Sequence, residues 1–285
     1  MKTCWEIDII TGLTSMDFNL LCKLGKIFML TLLLLAEVGC SSMNAKNANS
    51  GTVVSNIPVK TERGLQNEKT ESEEKTHEIK AALKDFGYKN GNKYLTQYQN
   101  DSKVKQMILV EQSVAEVSTG TLFLLVKNEK GEWQEQLQCK ALLGKNGIDK
   151  VREGDKRTPS GDFGFLMAFG AKEDPGSLVP YTKLTNSMYL CGDKEYYNQL
   201  IDVSKLEHRC GGNSEHMLSY VPQYNYGLFI DYNKERIFGK GSAIFLHCFG
   251  SYPFTLGCIS VAEDNMVKIL KTVDANARIC IYAKE

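Results

Sequence analysis

A mainly β fold, a β-rich sandwich or curled mixed sheet with few helices, follows from three features of this 285-residue sequence. Short apolar runs rich in Val, Ile, Leu and Phe recur from about Tyr94 onward, bounded by turn-forming residues. Two of these runs flank Asn128-Glu129-Lys130-Gly131, a hairpin signal. Beyond Tyr94, one segment alone carries a clear helical repeat.

The strands expected in order are Gln106 to Gln112, Thr121 to Val126, Trp133 to Cys139, Gly227 to Tyr232, Ser242 to His247 and Ala277 to Tyr282. The helix is expected from about Val261 to Thr272, because Met266, Ile269, Leu270 and Val273 repeat at helical spacing. Ser260 and Glu263 have capping-box spacing at its start. A helix N-terminus just beyond Cys258 would favour the thiolate form of that residue.

The N-terminal region reads as an export leader. Lys23 and Lys26 precede the apolar run Ile27 to Ala36, which is shorter than the roughly 20 residues a bilayer span needs. Val38-Gly39-Cys40 resembles a bacterial lipobox, which marks Cys40 for lipidation although Glu37 departs from the motif. From Ser41 to about Glu78 the chain is polar and nearly free of aromatics, the composition of a tether. A short helix over His77 to Phe86 is expected next, with Ile79, Leu83 and Phe86 near one face. The domain plan is therefore a leader over 1–39, the lipobox cysteine, tether and short helix over 40–100, and a catalytic domain over 101–285. This plan puts the protein outside the cytoplasm, in the cell envelope, tethered to a membrane through its lipid.

Lysine plus arginine equals aspartate plus glutamate at 34 each, so the bulk charge gives no reason to expect a nucleic-acid partner. Nine cysteines are present. Cys4 and Cys22 leave with the leader and Cys40 takes the lipid, so Cys139, Cys191, Cys210, Cys248, Cys258 and Cys280 remain. Cys191 with Cys210 is the one bridge worth weighing. No C-x-x-C pair supports a zinc ribbon or a thioredoxin-type site. His208, Cys210, Glu215 and His216 surround Gly211-Gly212, but their spacing matches no strong metal template, and a polar loop over a cleft is the preferred reading. No metal or cofactor is indicated.

Three segments carry chemistry. Gly154-Asp155-Lys156-Arg157-Thr158-Pro159-Ser160-Gly161-Asp162-Phe163 reads alone as a turn leading into a strand. Gly241 to His247 is an apolar strand ending in a histidine. Thr255-Leu256-Gly257-Cys258-Ile259-Ser260 sets a cysteine after a glycine that lets the backbone approach closely. His247 stands eleven residues before Cys258, across a loop with Gly250, Ser251 and Pro253. A nucleophilic cysteine needs such a base, itself oriented by a third group. Tyr196-Tyr197-Asn198 and Tyr224-Asn225-Tyr226 read as core or loop anchors before they read as groove walls.

Together these segments resemble the L,D-transpeptidase (YkuD-type) catalytic domain of bacterial cell-wall enzymes, over roughly Gln106 to Tyr282. The resemblance implies a cysteine acyltransferase acting on peptidoglycan stem peptides as donor and acceptor. Cys258 would form a thioester, His247 would be its base, and the backbone carbonyl of Cys248 would orient the imidazole. Backbone N–H groups near Gly257 and Cys258 would stabilise the oxyanion. Phe245, Thr255, Ser260 and Tyr226 would contact substrate. Leu256 and Ser260 depart from the commoner pattern, in which a histidine and an arginine or asparagine stand. An L,D-carboxypeptidase of the same fold, or a wall-binding lipoprotein without turnover, are the alternatives.

Overall fold

The computed structural model describes residues 86–284. The leader, the Cys40 lipobox, the tether and most of the expected His77 to Phe86 helix lie outside the described residues.

Thirteen strands are present among the described residues: β1 (Gln106–Gln112), β2 (Thr119–Lys127), β3 (Trp133–Leu142), β4 (Gly161–Phe163), β5 (Phe165–Gly170), β6 (Tyr181–Lys183), β7 (Met188–Cys191), β8 (Gln199–Asp202), β9 (Glu215–His216), β10 (Gly227–Ile230), β11 (Phe245–Cys248), β12 (Ile259–Val261) and β13 (Arg278–Ala283). Two α-helices join them, α1 (Asn92–Gln97) and α2 (Glu263–Leu270). Ten strands form one curled mixed sheet in the order β4-β13-β1-β2-β3-β12-β11-β10-β5-β6, and β8-β7-β9 form a second, small sheet. The mainly β expectation holds.

β1 shows why the apolar runs are continuous rather than alternating. Ile108 and Val110 point to one face, where they join Met266, Ile269 and Leu270 of α2. Met107 and Leu109 point to the other, where Tyr88, Tyr94 and Leu95 cover them. A strand buried on both faces has no polar face to show. The hairpin is present as the antiparallel β2–β3 pair, with a register shift between Leu124 and Leu125. Among the described residues packing already begins at Phe86 and includes α1, inside the 40–100 stretch assigned to the lipobox cysteine, tether and short helix.

A third cluster covers the far end of the sheet. Phe169, Phe229 and Phe245 meet Leu190 of the small sheet, together with Met217 and Tyr224 from the two 3-10 turns at Met217–Tyr220 and Gln223–Asn225. This cluster lies against the segment that carries Cys258.

Candidate active site

β11 and β12 run parallel, with Leu246 opposite Ile259 and His247 opposite Ser260. Side chains alternate across strands, so Leu246, Cys248, Ile259 and Val261 enter the core on the α2 side. Phe245, His247 and Ser260 face the other way. Cys258 stands one residue before β12 and packs with the Phe245 cluster. The candidate nucleophile and base thus share one face of adjacent strands, displaced by two residues along the chain direction. Cys258 Sγ donates to the carbonyl of Ala243 at 3.0 Å and accepts from the N–H of Phe245 at 3.4 Å. It lines a cleft of about 200 Å³ whose other walls include Lys150, Leu190, Asn213, Glu215 and Leu256.

Two threonines hold the backbone of the cysteine. The carbonyl of Cys258 accepts from Thr255 Oγ1 at 2.6 Å and from Thr158 Oγ1 at 3.1 Å. Thr158 is fully buried and also accepts from the N–H of Gly144 at 2.8 Å. The segment 154–163, which read alone as a plain turn, is therefore part of the scaffold under Cys258. Gly257 has φ +148°, and a Cβ there would lie 3.0 Å from the carbonyl oxygen of Arg157. Only glycine lets the chain pass so close in that conformation. Its N–H donates to Thr255 Oγ1 at 3.2 Å. The Gly257 N–H, expected as an oxyanion donor, bonds to Thr255 Oγ1 here, and the glycine also lets the chain pass close to Arg157.

Below the cleft, the buried Lys150 pairs with Asp155 at 2.8 Å. Asp155 also accepts from the N–H groups of Val151, Arg152 and Arg157. Burial pushes this carboxyl up, but the lysine and the three N–H groups outweigh it and hold it at about 2.

His247 is buried at 7% exposure. Its Nδ1 lies 2.7 Å from the carbonyl of Cys248. A carbonyl can only accept, so Nδ1 carries the hydrogen, and in neutral imidazole Nε2 is then the basic nitrogen. Burial lowers the histidine from 6.5 to about 4, against the opposing pull of the Cys248 carbonyl. Tyr224 meets the imidazole edge-on, with ring centroids 5.5 Å apart, and its hydroxyl donates to Glu215 at 2.6 Å. Burial also raises the Glu215 carboxyl, with the Tyr224 hydrogen bond opposing.

The thiol departs from expectation. Burial pushes Cys258 up to about 12, the Glu215 carboxylate adds to the rise, and the Phe245 N–H and Lys150 oppose it. The expected lowering relied on a helix starting just beyond the cysteine. Instead β12 intervenes, α2 begins at Glu263, and Ala262 caps it with no side-chain hydrogen bond. Ile259 and Val261 are β-branched and favour the strand. Ser260 is therefore buried in the sheet, while Glu263 is bound by Lys172 and Asn225. The capping box does not form. At neutral pH the pair rests as neutral thiol and neutral imidazole.

None of the four expected substrate contacts lines the cleft. Phe245 is 1% exposed and forms core behind the thiol, and Ser260, at 2%, lies within the sheet. Tyr226 packs against the α2-side core, on the opposite face from Cys258. Thr255 is 8% exposed and serves the Cys258 backbone. Among the cleft residues the sequence did not single out are Lys150 and, in this role, Glu215. Neither has a local signal, since each reaches the site through the tertiary fold.

Cys139, Cys191, Cys210, Cys248, Cys258 and Cys280 are all free thiols. Of the four residues weighed as metal ligands, His208 and Cys210 converge with Cys191. Glu215 turns to Tyr224, and His216 bonds to Ser219 and to the Asn186 carbonyl.

No protein-family model matches the sequence, and no curated protein matches it. Among solved structures, the helical cell shape determining protein Pgp2 from Campylobacter jejuni is similar at 15% identity and TM-score 0.35, over 68% of this chain and 55% of that one. L,D-transpeptidase 1 from Mycobacterium tuberculosis is similar at 13% identity and TM-score 0.28, over 63% of each chain. The Ldtfm-avibactam carbamoyl enzyme is similar at 12% identity and TM-score 0.28, over 65% of this chain and 50% of that one. The matches thus span between half and two thirds of the solved chains.

Proposed function

We propose that this protein is a peptidoglycan L,D-transpeptidase that works through a Cys258 thioester and is held in the cell envelope by a lipid on Cys40. The observation that carries the reading is the meeting of the three motif segments at one cysteine. Thr158 and Thr255 grip the Cys258 carbonyl, and His247, on the same sheet face, has Nδ1–H committed to Cys248.

In this reading Cys258 Sγ attacks the carbonyl between the third and fourth residues of a donor stem peptide. His247 Nε2 takes the thiol proton as the C–S bond forms, then gives it to the departing amine of the terminal D-residue. An amine from a second stem peptide attacks the thioester, forms the 3→3 amide and releases the thiol, whose proton comes from that amine by way of His247. The thiol and imidazole are neutral at rest, so proton transfer accompanies attack and no thiolate forms beforehand. Lys150, in the same cleft, offers positive charge to the oxyanion that develops on the carbonyl oxygen as the C–S bond forms.

The test is mass analysis of muropeptides after incubation with purified protein and with Cys258→Ala. Cross-linked dimers that depend on Cys258 support the transpeptidase. Trimmed monomers alone would make it an L,D-carboxypeptidase, and products undiminished in Cys258→Ala would sink the reading. Labelling with a palmitate analogue, lost in Cys40→Ala, tests the anchor, and undiminished label would remove it.

A further inference from the structure

Beside the Cys258 cleft, the loop from β8 to β9 folds back on the end of β7 and brings two thiols, an imidazole and a carboxylate together. Cys191 is fully buried at the last position of β7. The candidate ligand atoms of Cys191, His208 and Cys210 all lie within 4.8 Å of one another. His208 Nε2 stands 3.4 Å from Cys191 Sγ and 3.4 Å from Asp193 Oδ2. We propose that Cys191, His208 and Cys210 form a structural zinc site, with Asp193, already against His208, drawn in as the fourth ligand.

The spacing is the first argument. Zinc binds sulfur at about 2.3 Å and nitrogen or carboxylate oxygen at about 2.0–2.2 Å in a tetrahedron. Those bond lengths put ligand sulfur and nitrogen about 3.6 Å apart, and nitrogen and oxygen about 3.4 Å apart. The two separations measured from His208 Nε2, each 3.4 Å, fit these edges.

Donor chemistry is the second. One imidazole nitrogen faces both a sulfur and a carboxylate oxygen, yet it carries at most one hydrogen. A cation between them satisfies both. A Cys191–Cys210 disulfide would give His208 and Asp193 no reason to converge on the same point.

The surroundings support the ligands from outside. Gly211 N–H donates to Asp193 Oδ2 at 2.7 Å, and a Cβ on Gly211 would lie 2.5 Å from Asp193 Oδ1. Ser214 Oγ reaches Cys191 Sγ at 3.8 Å and accepts from Gly192 N–H at 2.9 Å. Such outer hydrogen bonds orient metal ligands. On binding, the two thiols lose their protons to solvent and no redox change occurs. The ion would fasten the loop whose neighbours Leu190, Asn213 and Glu215 wall the Cys258 cleft.

The experiment strips the full chain with a chelator under reducing conditions, then titrates zinc against a chromophoric chelator and cobalt by absorption. The proposal expects one zinc per chain, a thiolate-to-cobalt charge-transfer band, and a rise in Tm with metal. Cys191→Ser and His208→Ala should each lower affinity by more than the ~10–100-fold that losing an outer hydrogen bond costs. Asp193→Asn is the milder variant should either of those fail to fold. Folded, reduced protein that takes no zinc would overturn the site. So would unchanged affinity in the folded variants, or a Cys191–Cys210 disulfide in peptide maps of the exported protein.

Discussion

The hydroxyl of Thr158 donates to the carbonyl of Cys258 across 100 residues of sequence, at 3.1 Å. The same oxygen accepts from the Gly144 N–H, so one buried side chain ties the end of β3, the 154–163 segment and the candidate nucleophile together. Thr158→Val keeps the shape but strands the Gly144 donor. It should cost about 1–3 kcal/mol in urea unfolding and slow thioester formation. A loss below ~0.5 kcal/mol would mean that the Thr158 hydroxyl is not holding the site.

Gly257→Ala tests the close approach of the chain at the other side of the cysteine. With φ at +148° and the Arg157 carbonyl 3.0 Å from a new Cβ, the substitution should cost about 1–3 kcal/mol and displace Cys258. Denaturant midpoints check the cost. Activity retained alongside full stability would show that the backbone there is not constrained.

The Cys258 thiol should resist iodoacetamide at pH 7. Its pKa is raised to about 12, so the thiolate is scarce until the pH climbs well past the ordinary 9. Peptide mapping of alkylated protein should show Cys258 lagging a small free thiol at neutral pH, with a rate still rising above pH 9. Fast, selective alkylation at pH 7 would contradict the neutral-pair resting state.

His247 should make stability fall in mild acid. Its folded pKa of about 4 lies below the unfolded 6.5, so the unfolded chain binds the extra proton between them. The contribution is fully present above pH 6.5 and is lost as the pH falls toward 4. The shift corresponds to about 3 kcal/mol. His247→Gln should flatten the stability profile across that window. An unchanged slope would assign the acid sensitivity to other groups.

Much of the main sheet could be read from sequence because its strands are local apolar runs. β1 spans Gln106–Gln112 as the pattern predicts. The β11 strand starts later than the apolar pattern, which begins at Ser242. Gly241 has φ +130° and Ala243 +56°, and the Ala243 N–H bonds to Asn198 Oδ1 at 3.0 Å, so the chain there follows a distant loop rather than a ladder. The α2 repeat of Met266, Ile269 and Leu270 was legible, whereas its first turn yielded to the pairing of β12 with β11. The three motif segments could be found in sequence because each is a short local run with its own turn, strand or glycine signal. Lys150, and Glu215 as a partner of Tyr224, could not, since burial and partnership are properties of the folded chain.

The order of strands in the main sheet has a further consequence for how this protein comes into being. β13, the last strand in sequence among the described residues, lies between β4 and β1, where it pairs with both. Until it has emerged from the ribosome, β1 and β4 present edges that nothing fills. A nascent chain can assemble the β1-β2-β3 hairpins but cannot close the sheet. Closure of the sheet therefore waits for residues 278–283, and a chain cut short before residue 278 would leave the β1 edge open to proteases.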